Sequence, residues 1–562
     1  VLDKYRIDAV LWVKAHDRLR HFLVDQRGWR EPYTGAYETV YVRPDFAGEA
    51  KNTMTASAAV LSAAVTAPAV KAKSFAARYG ILCAVLLLAA AVRLPLAFWP
   101  NINHADEIYQ YLEPAWRLLG HQGVVTWEWR DGIRSWFLPT LFAGPVALGD
   151  WLAPGGWGAF VVPRLIVGLA SLSIVVTAWH FGERISRAHA IVTALAAAVW
   201  FELVYFAPHT LSEPLATAVI LPAALLLTGE LSRSRLFIGG ALLGLALVWR
   251  FQYAPACAVF VLGACWRDLR NALPLIGGGC VALAIAAGVD VVHGSTPFAW
   301  LVQNIRQNLL SDRASEFGVA PAYAYVHLTS VLWSGATLLM FLALWRGWRH
   351  APLLIVAAVV NIAFHSMIVH KEYRFIFLSI VLLIIAAGLG SGDWVQMMRR
   401  QRARRVSALP VVCAGWVLLS LGLSGATYIM RDNWMRGTGE ARLAAELDAD
   451  PDLCGLALYG MHDPFLPGRG QLALGRPVYS FYPADPLAKG QLPALVKQHE
   501  GGFNRIIGPL NLASELPTDF SQRTCALTSH ETTACVFARH GACDVAATSP
   551  FGINAVLVRL NY

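Results

Sequence analysis

The sequence predicts an α-helical polytopic membrane protein of about 11 spans with a C-terminal extracytoplasmic α/β domain, and three observations carry that prediction. Of the 562 residues, 56% are hydrophobic and only 15% charged, with 20 Trp and a positive mean hydropathy, which exceeds what a soluble core needs. Apolar runs of roughly 17–25 residues, long enough to cross a bilayer, recur along the chain. The basic residues fall in short clusters in every alternate loop between those runs, as the positive-inside rule requires. A net charge of +9 distributed in this way fits membrane topology and argues against nucleic acid, which would meet one basic patch.

The N-terminal extension, residues 1–53, begins with Val, lacks the basic-then-apolar order of a signal peptide, and mixes charge with aromatics like a soluble α/β piece. It reads either as the tail of an upstream module, with the membrane protein beginning near Met54, or as an ordinary cytoplasmic extension. Residues 54–429 form the transmembrane domain, with spans near 81–99, 158–180, 189–207, 210–229, 236–250, 252–265, 272–291, 323–345, 351–369, 375–391 and 408–428. A cytoplasmic N-terminal side puts Lys71/Lys73/Arg78, Arg184/Arg187, Arg233/Arg235, Arg267/Arg270, Arg346/Arg349 and Arg399/Arg400/Arg402/Arg404/Arg405 inside. The apolar segment 135–154 would throw later loops out of phase if it spanned, so it is expected to lie along or dip into the outer interface. External loops then run over 100–157 and 292–322. Residues 430–562 make an external domain with Gly- and Pro-rich turns and strand-like runs such as "NRIIGPL". Cys454, Cys525, Cys535 and Cys543 lie in it, and one or two disulfides are expected, with the pairing open.

Ionisable groups are costly in hydrocarbon and suggest function. Here Arg93, Arg164, Glu202, Glu213 and Arg250 gather at the outer ends of spans. A transporter would place such groups near the midplane between internal repeats, and none is seen. The stretch "NHADEIYQYLEPAWRLL" reads as a short interfacial helix with Asn103 as N-cap. Its acids Asp106 and Glu107 either complement the helix N-terminus or do chemistry. For "HKEYR" (370–374), anchoring at lipid headgroups competes with a binding role, and Trp127, Trp129 and Trp136 fit an aromatic belt as well as a sugar platform. Asp448, Asp450 and Asp452 in "LDADPD" are expected to mark a helix end running into a strand rather than a metal site.

The run "NHADEIYQYLEPAWRLLGHQGVVTWEWRDGIRSWFLP" resembles the first external loop of the GT-C glycosyltransferases of family 22, the polyprenyl- or dolichol-phosphate-mannose-dependent mannosyltransferases and their bacterial relatives. Their pattern appears as His104/Asp106/Glu107, Glu113/Pro114, Thr126/Trp127/Glu128/Trp129 and Arg134/Ser135/Trp136/Pro139, and a second signature as "HKEYRF" (370–375). Ala105 stands where the family has Pro, and Tyr373 where it has a second Glu, which leaves donor identity open.

The resemblance implies a GT-C fold and an inverting enzyme that moves a sugar, with mannose preferred, from a polyprenyl-phosphate donor to a glycan or glycolipid acceptor. It assigns the catalytic base to Asp106, with Glu107 as positioning partner or substitute. Arg250, His370, Lys371 and Arg374 are the candidates for the donor phosphate. His104, Glu113, Trp127, Glu128, Trp129, Arg134, Asn308, Arg313 and Glu316 are the candidate substrate and loop residues. Such displacement needs charge stabilisation of the leaving phosphate and a proton acceptor, so neither cofactor nor catalytic metal is expected. The expected partners are the lipid-linked sugar, the acceptor and membrane lipids, and the expected place is the cytoplasmic (inner) membrane with an extracytoplasmic active site. Transfer of another sugar or onto protein, and a lipid or polysaccharide flippase, are the alternatives.

Overall fold

The computed structural model describes residues 9–13, 30–34, 38–42 and 75–562, apart from 156, 402–406, 449, 467–473, 517–518, 530 and 545–548. Met54 and the basic residues Lys71, Lys73, Arg402, Arg404 and Arg405 lie outside the described residues. The chain divides into two units, Val1–Tyr79 and Gly80–Tyr562. In the first, strands β1 (Ala9–Val13), β2 (Arg30–Thr34) and β3 (Glu38–Val42) form an antiparallel sheet in the order β1-β3-β2.

The second unit is mainly helical. Among the described residues, six helical stretches are long and apolar enough to cross a membrane: Tyr79–Phe98, Gly158–Glu183, Leu269–Val292, Ala324–Gly347, Tyr373–Arg399 and Ala408–Ala426. Shorter apolar helices, including Phe137–Leu152 within the segment expected at the outer interface, fill in between. In chain order the helices begin with α1 (Phe75–Arg93), α2 (Glu113–Leu118), α3 (Trp127–Arg130), α4 (Phe137–Leu152), α5 (Gly158–Ala170), α6 (Leu172–Glu183), α7 (Arg187–Val199), α8 (Phe201–Tyr205), α9 (Ser212–Leu227), α10 (Arg233–Trp249), α11 (Ala254–Cys265) and α12 (Ala272–Val292). Then come α13 (Ala299–Ile305), α14 (Ala324–Trp333), α15 (Thr337–Gly347), α16 (Pro352–Met367), α17 (Phe377–Gln401), α18 (Ala408–Ala426), α19 (Tyr428–Met435) and α20 (Thr438–Asp448). Glycines bring α10 and α12 together: a Cβ on Gly240 would lie 2.0 Å from the Leu275 carbonyl oxygen. Close backbone approach at small residues is how helices pack where lipid removes the hydrophobic driving force.

Several helices break at one end of the bundle. Trp200 interrupts α7–α8, non-helical Arg250 ends α10, and extended Ile368 ends α16. A broken helix frees carbonyls that hydrocarbon cannot satisfy. Two fully buried arginines take up some of them. Arg93 donates to the Ser171 and Ala197 carbonyls, and Arg164 to those of Leu96, Trp99 and Asn101. These two charges therefore pin backbone.

The C-terminal residues build a five-stranded sheet from β4 (Leu456–Tyr459), β5 (Val478–Phe481), β6 (Arg505–Pro509), β7 (Ser521–Leu527) and β8 (Thr533–Ala538), in the order β5-β4-β6-β8-β7. β4 runs parallel to β5 and β6, while β8 is antiparallel to both β6 and β7. Helices α21 (Leu492–His499) and α22 (Ile553–Leu560) accompany it. The open disulfide pairing resolves into Cys454–Cys543 and Cys525–Cys535, the second joining directly opposed residues of β7 and β8. Asp448 ends α20 and Asp450 pairs with Arg505 at 2.6 Å, so the "LDADPD" acids do mark a helix running toward a strand. One face of this sheet shares a core with the segment that follows α1: Leu456, Val478, Ile507, Ile553 and Leu557 join Tyr109, Leu112, Trp116, Val124 and Phe160 in one buried cluster.

Candidate active site

The loop after α1 is drawn inward by a carboxylate. Glu107 is fully buried, and its oxygens accept from the backbone N–H of Asn103 at 2.8 Å and of Thr210 at 3.2 Å while lying 2.9–3.0 Å from His209 Nδ1. The expected capping is therefore reversed. Asn103 does not cap with its side chain, which donates to the Tyr205 hydroxyl at 3.1 Å. Residues Glu107–Leu112 form a wide π turn in which Glu113 N donates to the Ile108 carbonyl, next to Pro114, which has no N–H for the ordinary ladder. Burial would raise the Glu107 carboxyl, but the contact with His209 and the donated hydrogen bonds hold it below its usual range.

Pinning Glu107 inward leaves Asp106 facing a cavity of about 920 Å³. Asp106 Oδ2 lies 2.7 Å from Arg374 Nη2, and Oδ1 lies 3.2 Å from His104 Nδ1. Arg374 is nearly buried and also grips Glu372 at 2.6 Å, with Glu213 at 3.6 Å. Glu213 in turn pairs with Arg250 at 3.3 Å, and the Arg250 guanidinium sits over the Phe375 ring. Glu372 also meets His370 at 3.0 Å and His104 at 3.6 Å. On the far wall Arg134 reaches Glu128 at 3.5 Å. Burial would raise Asp106, yet His104, Arg374 and Arg134 hold it well below the ordinary carboxylate value. Glu372 is likewise held low despite burial, by Arg374 and His104. His104 is raised because Asp106 and Glu372 outweigh burial and Arg374. The hydrogen bond that His370 donates to Glu372 raises His370.

The cavity is lined by Asp106, His104, Trp127, Glu128, Arg134, Arg250, Asn308, His370 and Arg374 of the expected residues. Others stand elsewhere. Glu107 acts beneath the loop. Glu113 is buried, with Oε2 accepting from Val124 N at 2.9 Å, and Trp129 donates to the Tyr109 carbonyl at 3.1 Å. Arg313 stacks over Trp127 at 3.6 Å and pairs with Asp131, while Glu316 is exposed beside Arg313. Lys371 does not line the cavity. Its ammonium donates to the Ala320 and Ile368 carbonyls, and burial lowers it.

Glu372, Glu213 and His209 are the partners that sequence reasoning did not assign. Glu372 could have been found from its place inside "HKEYRF". His209 is brought to Glu107 only by the fold. Tyr373, where the family pattern has an acid, donates to buried Glu202, which also accepts from Trp200 Nε1 at 2.6 Å and Trp333 Nε1 at 3.0 Å. A glutamate at 373 would put a second carboxylate against Glu202.

The sequence model of the Alg9-like mannosyltransferase family matches residues 84–433, which carry every one of these cavity groups. The chain belongs to that family. It is similar to GPI mannosyltransferase 3 of Yarrowia lipolytica, 27% identical over 361 residues that cover 60% of this chain and 68% of the relative. The protein of the same name from Trypanosoma brucei brucei is 26% identical, over 55% of this chain and 63% of the relative. In fold it is similar to the crystal structure of ArnT from Cupriavidus metallidurans bound to undecaprenyl phosphate, with a TM-score of 0.54 and 14% identity over 82% of this chain and 98% of that one. As a member of the Alg9-like family the chain is a membrane glycosyltransferase of GT-C fold, and the ion-paired cavity is its candidate active site.

Proposed function

We propose that the protein transfers mannose from a polyprenyl-phosphate donor to a hydroxyl of a glycan or glycolipid acceptor, with inversion, at the extracytoplasmic face of the cytoplasmic membrane. The observation that carries this reading is the Asp106–Arg374 pair: a proton acceptor and a phosphate-sized cation, 2.7 Å apart, open to one cavity. In the reaction the acceptor oxygen attacks the anomeric carbon, its proton passes to Asp106, and the sugar–phosphate bond breaks to release polyprenyl phosphate. Arg374 and Arg250 compensate the leaving charge. Before the donor arrives, Arg374 spends part of its charge on Asp106, which keeps the acid ionised but a weak base. A phosphate that drew Arg374 away would make Asp106 more basic at the moment it is needed. Lipid-linked donors of this kind are consistent with the undecaprenyl phosphate named for the ArnT structure.

Arg134, Arg250, Arg374, His104 and His370 bring to the cavity positive charge that a phosphodiester donor would meet. His104 and His370 are raised above their usual 6.5. Their charge is thus fully present below 6.5 and lost as pH rises through the raised values. The donor KM is expected to rise over that window while kcat changes less, as measured from initial rates against donor concentration. A pH-independent donor KM would remove the histidines from phosphate binding.

Purified protein is expected to consume polyprenyl-phosphate-mannose in the presence of acceptor and to release polyprenyl phosphate, followed by chromatography of the lipid. Turnover of a different lipid-linked sugar instead would favour the second reading, to which the Tyr373–Glu202 pairing points. Movement of the lipid across a bilayer without loss of its sugar would make the protein a flippase and sink both.

A further inference from the structure

His189, in the first turn of α7, His350, between α15 and α16, and Asp393, on α17, converge away from the cavity. At a helical rise of about 1.5 Å per residue, Asp393 lies about 24 Å along α17 from its first residue, Phe377, which follows Arg374 closely, most of the thickness of the hydrocarbon layer. His189 Nε2 is 3.2 Å and His350 Nε2 is 3.0 Å from the same carboxylate oxygen, Asp393 Oδ1. One ligand atom from each residue lies within 4.8 Å of the others. Among the described residues this is the group of His, Cys, Asp and Glu side chains with metal-holding geometry.

Zinc bonds to nitrogen and oxygen of about 2.0–2.1 Å at tetrahedral angles set neighbouring ligand atoms about 3.3–3.4 Å apart. The two N···O separations are within a few tenths of an ångström of such edges. The fully buried His189 ring is also held in place. Ser186 Oγ lies 2.8 Å from Nδ1, which directs Nε2 toward Asp393, as outer partners of metal-bound histidines do. Gly392 makes room for that ring, since a Cβ there would stand 2.3 Å from its Cδ2 atom.

We propose that His189, His350 and Asp393 bind one divalent ion of the zinc class through two imidazole nitrogens and a carboxylate oxygen, with water as fourth ligand. The ion ties α7, α17 and the α15–α16 loop together at the membrane boundary opposite the transfer site, and takes no part in sugar transfer.

The test uses protein purified without a polyhistidine tag, loaded with zinc chloride and dialysed. Elemental analysis is expected to find about one zinc per chain, and EDTA is expected to lower the Tm. His350→Ala, at a partly exposed loop position, should retain at least tenfold less zinc and lose the EDTA effect. If that variant does not fold, Asp393→Asn, which keeps the size and a hydrogen-bond acceptor, takes its place with the same expectation. Wild-type protein that retains no zinc, or a folded variant that retains as much as wild type, would overturn the site.

Discussion

Asp106→Asn is expected to lower turnover by roughly 10²–10⁴ while donor binding survives, because the amide keeps size and polarity but cannot accept the acceptor's proton. The effect should appear in kcat and kcat/KM alike, the signature of an interaction made in the transition state. Arg374 would still be held by Glu372, at 2.6 Å, so the cavity should keep its shape. Single-turnover rates with saturating donor, on a variant whose Tm matches wild type, are the measurement. Normal turnover in that variant would reduce Asp106 to an electrostatic partner of Arg374.

Arg374→Ala is expected to do more damage of a different kind. The guanidinium is nearly buried and faces Asp106, Glu372 and Glu213. Removing it strips three carboxylates of the counter-charge they share and leaves only His104, His370 and Arg250 beside them, and breaking a buried pair from one side costs about 3–5 kcal/mol. A lower Tm in detergent and a loss of donor binding should therefore come together. Lys371→Ala is the contrasting variant. Its ammonium is spent on the Ala320 and Ile368 carbonyls, so it should leave the donor KM within a few-fold. If Lys371→Ala weakened donor binding as much as Arg374→Ala, the phosphate would lie on the other side of the 370–374 segment.

The contrast marks how far the sequence alone could be read. Asp106, His370 and Arg374 were legible because each lies in a short motif whose chemistry is local. Lys371 was not, because the decision depends on which way a side chain points. Glu372 has extended backbone, and in such a segment successive side chains turn to opposite sides, so Lys371 faces away from His370 and Glu372. For Glu107 the sequence left two roles open, positioning partner or substitute base, and could not choose between them. Its partners His209 and Thr210 lie about a hundred residues downstream, and the π turn that rotates it inward follows from no simple periodicity. The helical class followed directly from composition. The disulfide pairing needed the register of β7 against β8, which four cysteines on a line do not contain.

The core shared by the C-terminal sheet and the segment that follows α1 sets an order in time. Asn554 holds Val125 N and the Gly123 carbonyl, and the Leu557 and Tyr562 carbonyls accept from Arg130. Trp127 and Glu128 on the cavity wall are thus clamped by residues synthesised more than four hundred positions after Asp106. At about 5–20 residues per second, the ribosome needs roughly 20–90 s to cover that distance. During that interval the nascent chain already carries its proton acceptor but not the finished wall around it. A chain stalled or clipped before α22 should insert its first helices and still be silent, with Leu112, Trp116 and Val124 left uncovered for the machinery that removes unfinished proteins.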